Sequence, residues 1–329
     1  MSRLFNKLFW LMVLMVSSLA CQPSRGGPAP KSATLSPLVT ILSQHEYRAR
    51  QTLTLENKGP GQPEKQNLWV ALIQTLPPYQ EVLSREITPK AYTLITDEYG
   101  NQYAEFDLSE HPAGTTKEVQ INYHLVVNEL AYDLSVCQGE LLDDFTRPEL
   151  HIESANPQIV ALTSQLSQGK KDACQQVRAF YDYIGDELIY TYNGENWGAQ
   201  AALGPMGADC TEYASLLAAL SRAQKIPARY IEGLLVLGDD TKNLARQEHA
   251  WVDVYLPGVG WASMDPTLGR SPLTRETYFA HHTPEHIILT LGPAPSTLRG
   301  SSYWTHIYWP GNSTQIQVQA GEWDIKPVE

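Results

Sequence analysis

A chain of 329 residues, of which 43% are hydrophobic and 18% charged, is long enough to bury a substantial core, and its length favours about two domains. Its net charge of -12 excludes the basic surface with which nucleic-acid-binding proteins meet phosphates. We therefore expect no nucleic-acid partner.

The N-terminus has the pattern of a secretory signal that ends in a lipid attachment site. Arg3 and Lys7 precede an apolar run over 8–16 that is too short to span a membrane, and small residues then lead to Cys21. The Leu-Ala-Cys sequence resembles a bacterial lipobox, which implies that residues 1–20 are a lipoprotein signal peptide and that Cys21 carries lipid. The alternative is an ordinary cleaved signal peptide with an incidental cysteine.

A lipidated Cys21 implies a protein of the cell envelope that is held to a membrane by its lipid. Gln22, rather than an aspartate, follows the cysteine. In an organism with two membranes this implies the outer membrane, with the protein facing the periplasm. Residues 21–37 are rich in proline, glycine and serine and predict a flexible tether.

Residues 38–150 predict a small β-sandwich domain. Short β-rich runs are separated by turn sequences such as NKGPGQPE and EHPAGTT. Alternate apolar residues from Val119 to Leu125 are typical of a half-buried strand. Several short strands at this spacing favour a sandwich.

Residues 151–329 predict an α+β domain that ends in further short strands. Apolar residues at helical spacing predict a helix over 172–188, and a loop over 190–209 precedes a second helix that begins near Cys210. Strands are predicted at 228–237, 247–256 and 261–265. The sequence Pro-Gly-Val-Gly at 257–260 predicts a hairpin between the last two.

The remaining cysteines divide by context. Export places them in an oxidising compartment. If Cys21 carries lipid and Cys210 is a nucleophile, then Cys137 and Cys174 are left over. A disulfide between these two and two separately buried thiols are both compatible with the sequence.

Cys210, His249 and Asp265 together are the residue types that thiol catalysis requires. Cys210 opens a helix, where unpaired backbone N–H groups and the helix dipole favour a thiolate. His249 lies in an alternating strand and Asp265 ends the next, so one hairpin supplies a base and a carboxylate to orient it. Ideal pairing does not set these two opposite each other, so we expect a bulge or twist if they meet. Taken singly, each of the three also fits a packing or turn role.

The surroundings of these three residues resemble the core of the transglutaminase-like superfamily. The resemblance rests on the order and spacing of five segments, at 207–214 (GADCTEYA), 226–229 (IPAR), 249–254 (HAWVDV), 260–261 (GW) and 265–267 (DPT). It extends over about 155–290 and implies a papain-like α+β fold, in which the helix that bears the cysteine packs on an antiparallel sheet. It also implies Cys210 as nucleophile, His249 as base and Asp265 as the orienting carboxylate.

The resemblance also implies an oxyanion site. The backbone N–H of Cys210 is one expected donor, and an upstream side chain is expected to supply the second, with Gln200 and Trp197 as candidates. Packing within the loop is the alternative for each candidate. No convincing carboxylate or cysteine accompanies the three histidines His281, His282 and His286, so we expect packing or surface roles for them. We expect no metal site and no cofactor.

These features predict a thiol-dependent acyl-transfer enzyme that acts on amide bonds of peptide or protein substrates through a thioester on Cys210. It would be a peptidase or amidase if water takes the acyl group, and a transglutaminase if an amine does. Hydrolysis is favoured, because water is abundant outside the membrane. The alternative is a catalytically silent binding or scaffold lipoprotein, in which the transglutaminase-like domain serves recognition.

Overall fold

Two long strands organise the N-terminal part of the chain. In the computed structural model, β1 (Val39–Asn57) and β6 (Thr116–Tyr132) pair antiparallel along nearly their whole length, with one register shift between Ile41 and Ser43. From Val119 to Val127, alternate residues of β6 are buried. This is the period-two pattern of a strand with one face on a core, as the sequence predicted.

The structure describes residues 35–192, 197–236, 247–292, 303–311, 313–320 and 323–328. The predicted signal peptide at 1–20 and the lipidated Cys21 lie outside the described residues, as does most of the predicted tether. Within the described ranges, no helix combines the length and apolar character that crossing a membrane requires.

Two sheets of the described chain enclose a shared apolar core. The first contains β1, β6, β3 (Gln80–Thr88), β10 (His281–His282), β13 (Ile316–Ala320) and β14 (Asp324–Pro327). The second has the order β12-β2-β5-β4, formed by Trp304–Trp309, Lys65–Ala71, Gln102–Asp107 and Thr93–Thr96. Leu53 and Val119 of the first sheet belong to the same buried cluster as Leu68 and Phe106 of the second. This packing forms the predicted β-sandwich.

The C-terminal strands, which the sequence grouped with residues 151–329, instead complete the sandwich. β13 and β14 both pair with β1, and β12 pairs with β2. The chain therefore returns to the N-terminal sheets after β11 (His286–Gly292). Residues Thr34–Glu329 constitute one compact unit.

Four helices of the described chain belong to the second segment: α1 (Pro157–Leu166), α2 (Ala173–Glu187), α3 (Ala199–Ala202) and α4 (Cys210–Ala223). α2 and α4 confirm the helices predicted over 172–188 and from Cys210. α1 was not predicted, although Asn156 caps its N-terminus and Pro157 stands in its first turn. α3 lies inside the predicted loop over 190–209, where the sequence Ala-Gln-Ala-Ala has high helix propensity.

The third sheet carries the hairpin predicted around residues 257–260. Its order is β11-β7-β8-β9, all antiparallel, with β11 (His286–Gly292), β7 (Ala228–Leu235), β8 (Glu248–Leu256) and β9 (Gly260–Met264). α4 packs against β7 and β8 through buried side chains that include Leu216 and Leu217. The predicted α+β class, with the cysteine-bearing helix on an antiparallel sheet, is confirmed.

A buried ion pair of this sheet also forms a hydrogen bond with a tyrosine of the N-terminal part. The Asp253 carboxylate on β8 accepts from Arg229 Nη2 at 2.7 Å and from the Tyr79 hydroxyl at 2.8 Å. Tyr79 immediately precedes β3, so the contact joins the two parts of the chain. Because Asp253 is fully buried, these partners offset the cost of taking its charge out of water.

A disulfide joins Cys137, which follows β6, to Cys174 in the first turn of α2. Of the two arrangements that the sequence left open, the structure contains the bridge. It ties the end of the N-terminal strands to the helices that pack around α4.

Candidate active site

Cys210 is the first residue of α4, and a capping box holds it there. Asp209 is the N-cap and its carboxylate accepts from the Thr211 backbone N–H at 3.0 Å, while the Glu212 carboxylate accepts from the Asp209 N–H at 2.9 Å. Burial raises the pKa of Glu212 to about 8. The hydrogen bond from Thr211 holds the Asp209 carboxylate at the start of the helix.

The turn before Cys210 requires a glycine. Gly207 has φ = +81°, and a Cβ there would lie 2.7 Å from Thr191 Cβ. The close approach lets Ala208 form backbone hydrogen bonds with Ile189 and Thr191, at 3.1 and 2.9 Å. These bonds align residues 189–191 beside the segment that leads into α4.

His249 lies near the start of β8 and is almost fully buried. Its Nε2–H donates to Asp265 Oδ2 at 2.7 Å. Its other ring nitrogen, Nδ1, is not used by Asp265, and Cys210 is close enough to contribute to the raised pKa of the imidazole. The indole of Trp251, two residues along the strand, is stacked beside the imidazole at 6.0 Å between ring centroids.

Asp265 follows β9 directly, where the chain turns into a 3-10 helix (Leu268–Arg270). Its Oδ1 accepts from the backbone N–H groups of Thr267 and Leu268, both at 2.9 Å. Its Oδ2 is thereby aimed at His249. The aspartate is buried, so the backbone N–H groups of the turn, and not water molecules, orient its carboxylate.

Electrostatics in the site favour an imidazolium next to a carboxylate. Burial alone would lower the pKa of His249, but the Asp265 charge and hydrogen bond, together with the Cys210 thiol, outweigh it and raise that pKa to about 10. Burial would raise the pKa of Asp265, but His249 and His286 hold it well below its ordinary value. At neutral pH the pair is therefore His249⁺ and Asp265⁻.

Cys210 differs from its two partners in access to solvent. It is a free cysteine of intermediate burial, whereas His249 and Asp265 keep only 3% and 2% of their surface exposed. Cys210 is therefore partly accessible to solvent, whereas the imidazole and the carboxylate are shielded from water.

Asp265 has a second imidazole partner that the sequence analysis missed. His286 Nε2–H donates to the same Oδ2 at 3.1 Å, and His286 Nδ1 lies 2.8 Å from the Thr283 hydroxyl. His286 opens β11, the edge strand on the opposite side of β7 from β8. The sequence signal was a histidine at the start of an apolar strand, which by itself is more typical of packing.

The other two histidines of that group have different partners. His281 contacts Glu129 at 3.0 Å, and His282 is buried against the Tyr79 and Trp251 rings. The donor atoms of His249, Asp265 and His286 lie within 4.8 Å of one another, a spacing that could hold a metal ion. These atoms already form two hydrogen bonds, from His249 and from His286 to Asp265. We therefore assign His249 and His286 as hydrogen-bond donors to the Asp265 carboxylate.

The two candidates for the second oxyanion donor lie on the loop and helix before Cys210. Trp197 is 46% exposed and its ring packs edge-on against His151. Gln200 is exposed in α3, and its backbone N–H donates to Glu153 at 3.2 Å. In the described chain Trp197 contacts His151 and Gln200 contacts Glu153. The assignment of either residue as an oxyanion donor stays a prediction.

Comparisons with known proteins identify a family for the segment that contains this site. Residues 160–266, which contain Cys210, His249 and Asp265, match the model of the transglutaminase-like superfamily. The uncharacterized protein YebA of Bacillus subtilis strain 168 is 27% identical in a match that covers 45% of this chain and 23% of that protein. The chain thus spans less than a quarter of the length of that relative.

One solved structure shares the fold over most of the chain. A proposed cysteine protease from Cytophaga hutchinsonii superposes with a TM-score of 0.64 at 15% identity, covering 88% of this chain and 92% of that one. The periplasmic domain of TgpA from Pseudomonas aeruginosa has a TM-score of 0.35 at 18% identity and covers 68% of this chain and 90% of its own. With the helix-borne cysteine, the hairpin and the family match all within one segment, residues 160–266 belong to the transglutaminase-like superfamily.

Proposed function

We propose that this protein is a thiol-dependent acyl-transfer enzyme that acts on amide bonds of peptide or protein substrates. The observation that carries the proposal is the buried 2.7 Å hydrogen bond from His249 to Asp265, with Cys210 near enough to contribute to the raised pKa of the same imidazole. A nucleophile, a base and an orienting carboxylate in this order are what thiol catalysis requires.

The first half of the reaction forms a thioester. The Cys210 sulfur attacks the carbonyl carbon after its proton has passed to His249, and the imidazolium favours the anionic nucleophile. The Cys210 backbone N–H, in the first turn of α4 where no helix carbonyl accepts it, is placed to donate to the developing oxyanion. His249 then gives its proton to the leaving nitrogen, the C–N bond breaks, and an amine departs.

The second half releases the acyl group. A water molecule or an acceptor amine attacks the thioester carbonyl while His249 takes its proton, and the thiolate leaves with the imidazolium beside it. Water gives a carboxylic acid and an amine gives a new amide. We favour water, because the envelope compartment that we propose for this protein is aqueous.

The test is a peptide-cleavage screen with and without an added amine. The purified protein is incubated with a complex peptide mixture and with glycine ethyl ester, and the products are read by mass spectrometry. We expect cleaved peptides from the wild type, and a loss of about 10³-fold or more for Cys210→Ala and for His249→Ala, because the three groups act as a unit. Products that persist unchanged in Cys210→Ala would refute the proposal.

Thiol reactivity separates an enzyme from a scaffold without a known substrate. In the enzyme, Cys210 should react with iodoacetamide at mildly acidic pH faster than N-acetylcysteine, because His249⁺ accompanies the sulfur. His249→Ala should move the onset of reaction to higher pH. A rate equal to that of the free thiol, unaltered by His249→Ala, would favour the recognition lipoprotein instead.

We further propose that the protein is anchored in the cell envelope through lipid on Cys21, with residues 22–37 as its tether. The support is the sequence of the first 21 residues alone. Cys21→Ser should release the protein from the membrane fraction of expressing cells, and the wild type should carry the mass of a lipidated N-terminus. Membrane association that survives the Cys21→Ser change would contradict the anchor.

A further inference from the structure

Arg270 differs from the neighbouring arginines in lacking an acidic partner. In the part of the chain that the structure describes, no carboxylate oxygen lies within 4.0 Å of its guanidinium. Four arginines of the same segment each have one, namely Arg178, Arg222, Arg229 and Arg275.

The position of Arg270 is set from two sides. Its Nη1 donates to the Thr267 carbonyl at 2.6 Å, and Thr267 in turn donates its backbone N–H to Asp265. Its guanidinium carbon lies 4.7 Å above the Tyr190 ring. Arg270 thus extends from the turn that holds Asp265 to the residues beside the Cys210 segment.

Tyr190 connects that guanidinium to the segment that leads into Cys210. Its backbone pairs with Ala208, two residues before Cys210, and its ring lies 6.3 Å from the Tyr213 ring in the first turns of α4. Burial and the charges of Cys210 and Asp209 raise the pKa of Tyr190, whereas Arg270 lowers it. The charges of both Cys210 and Arg270 therefore act on the Tyr190 hydroxyl.

Two exposed apolar side chains lie on the segments that pair through Tyr190 and Ala208. Ile189 is 76% exposed and Met206 is 51% exposed, on the two segments that the Gly207 turn brings together. Arg270 itself is half-buried, with one of its five N–H donors used on Thr267. The remaining donors of a stacked guanidinium form a fork that matches a carboxylate.

We propose that Arg270 is a substrate-recognition residue, which binds a carboxylate of the acyl donor next to the amide that Cys210 attacks. The inference rests on the proposed function, and it names the substrate class as peptides with an acidic group close to the scissile bond. The exposed apolar side chains at 189 and 206 would contact the neighbouring part of the same peptide.

A pair of alkylating agents tests the proposal without a known substrate. Bromoacetyl-glycine carries a carboxylate that its isostere bromoacetyl-glycinamide lacks, and both alkylate a thiol. The rate ratio of acid to amide at Cys210 is measured by mass spectrometry in the wild type, Arg270→Gln and Arg270→Lys, with N-acetylcysteine as the reference thiol. Arg48→Gln, an exposed arginine of β1, is the matched control.

We expect a wild-type ratio above that of N-acetylcysteine and a fall of about fivefold in Arg270→Gln, the size of one charge-assisted hydrogen bond at a partly exposed site. Arg270→Lys should lie between the two, and Arg48→Gln should equal the wild type. Salt at 0.5 M should reduce the wild-type ratio towards that of Arg270→Gln.

The proposal is overturned if Arg270→Gln keeps the wild-type ratio while its circular dichroism and Tm are unchanged. It is equally overturned if neither reagent labels Cys210, because the proposal requires an open site. Both outcomes are independent of amide cleavage. A correct ratio with no cleaved peptide in the screen would instead reject the proposed reaction and retain the carboxylate site.

Discussion

His249 and Asp265 meet as diagonal neighbours on one face of the β8–β9 hairpin, not as a directly opposed pair. The ladder ends at Val252 and Met264 without a register shift, so one further pair would set Asp265 opposite Trp251. His249 lies two residues beyond Trp251 on the same face. Diagonal positions are about 7–8 Å apart, a gap that an imidazole and a carboxylate bridge. The bulge that the sequence analysis allowed for is not needed in this ladder.

The pH dependence of stability should report this pair. A raised pKa on His249 contributes stability that is fully present below its ordinary value of 6.5 and is lost as pH rises through about 10. A lowered pKa on Asp265 contributes stability that is lost only as pH falls below the ordinary aspartate range. The stability difference between wild type and Asp265→Asn should therefore be greatest between about pH 4 and 6.5.

Two measurements check this window. Urea unfolding at a series of pH values gives the stability difference, and imidazole NMR shifts follow His249 directly. Asp265→Asn should lower the pKa of His249 and reduce activity by about 10³–10⁴-fold, because the amide misdirects the imidazole. An unchanged titration of His249 in Asp265→Asn would show that Asp265 does not control it.

His286 should act as a positioning residue. His286→Leu removes one of the two imidazole donors to Asp265 Oδ2, and we expect kcat/KM to fall on the order of tenfold, the equivalent of one charge-assisted hydrogen bond. Because the lost donor no longer shares the carboxylate charge, the pKa of His249 should rise further. His286→Gln, which keeps a donor, should recover part of the rate. Equal rates in the two variants, with no change in the His249 titration, would show that His286 contributes only by packing.

Gly269 should tolerate no side chain. A Cβ there would lie 1.7 Å from the Tyr181 hydroxyl, which donates to the Asp265 carbonyl at 3.1 Å. Gly269→Ala should therefore lower the free energy of unfolding by about 1–3 kcal/mol and displace the turn that aims Asp265. Tyr181→Phe removes the same hydrogen bond without the collision and should cost less. A Gly269→Ala protein with wild-type Tm would contradict the close contact.

The disulfide should contribute to stability without taking part in the reaction. Cys137 and Cys174 are separated by 37 residues, and closing a loop of that length is worth about 3–4 kcal/mol in the chain-entropy model. The double variant Cys137→Ala/Cys174→Ala should show this loss in urea unfolding, and its Cys210 should keep the alkylation rate of the wild type. Cys210→Ala, which keeps the disulfide, is the control and should retain the stability of the wild type. Alkylation of Cys137 and Cys174 in non-reduced protein would show that the bridge does not form.

The sequence predicted α2, α4 and the strands β7, β8 and β9 because their signals are local. Apolar spacing predicts α2, the break at Pro227 predicts the end of α4 near Ala223, and the glycines at 258 and 260 predict the hairpin. The resemblance of the segments around Cys210, His249 and Asp265 to one family then predicted the fold class. Each of these signals lies within a few residues of the feature that it predicts.

Only the tertiary structure decided which distant segments meet. His286 reaches Asp265 from the other side of the sheet, Arg270 stacks on a tyrosine 80 positions earlier, and the last three strands return to β1 and β2. Periodicity states which face of an element is buried but not what covers it. The partner of each side chain depends on how whole elements pack, so the two imidazoles at Asp265 and the guanidinium over Tyr190 come together only when the sheets and helices are assembled.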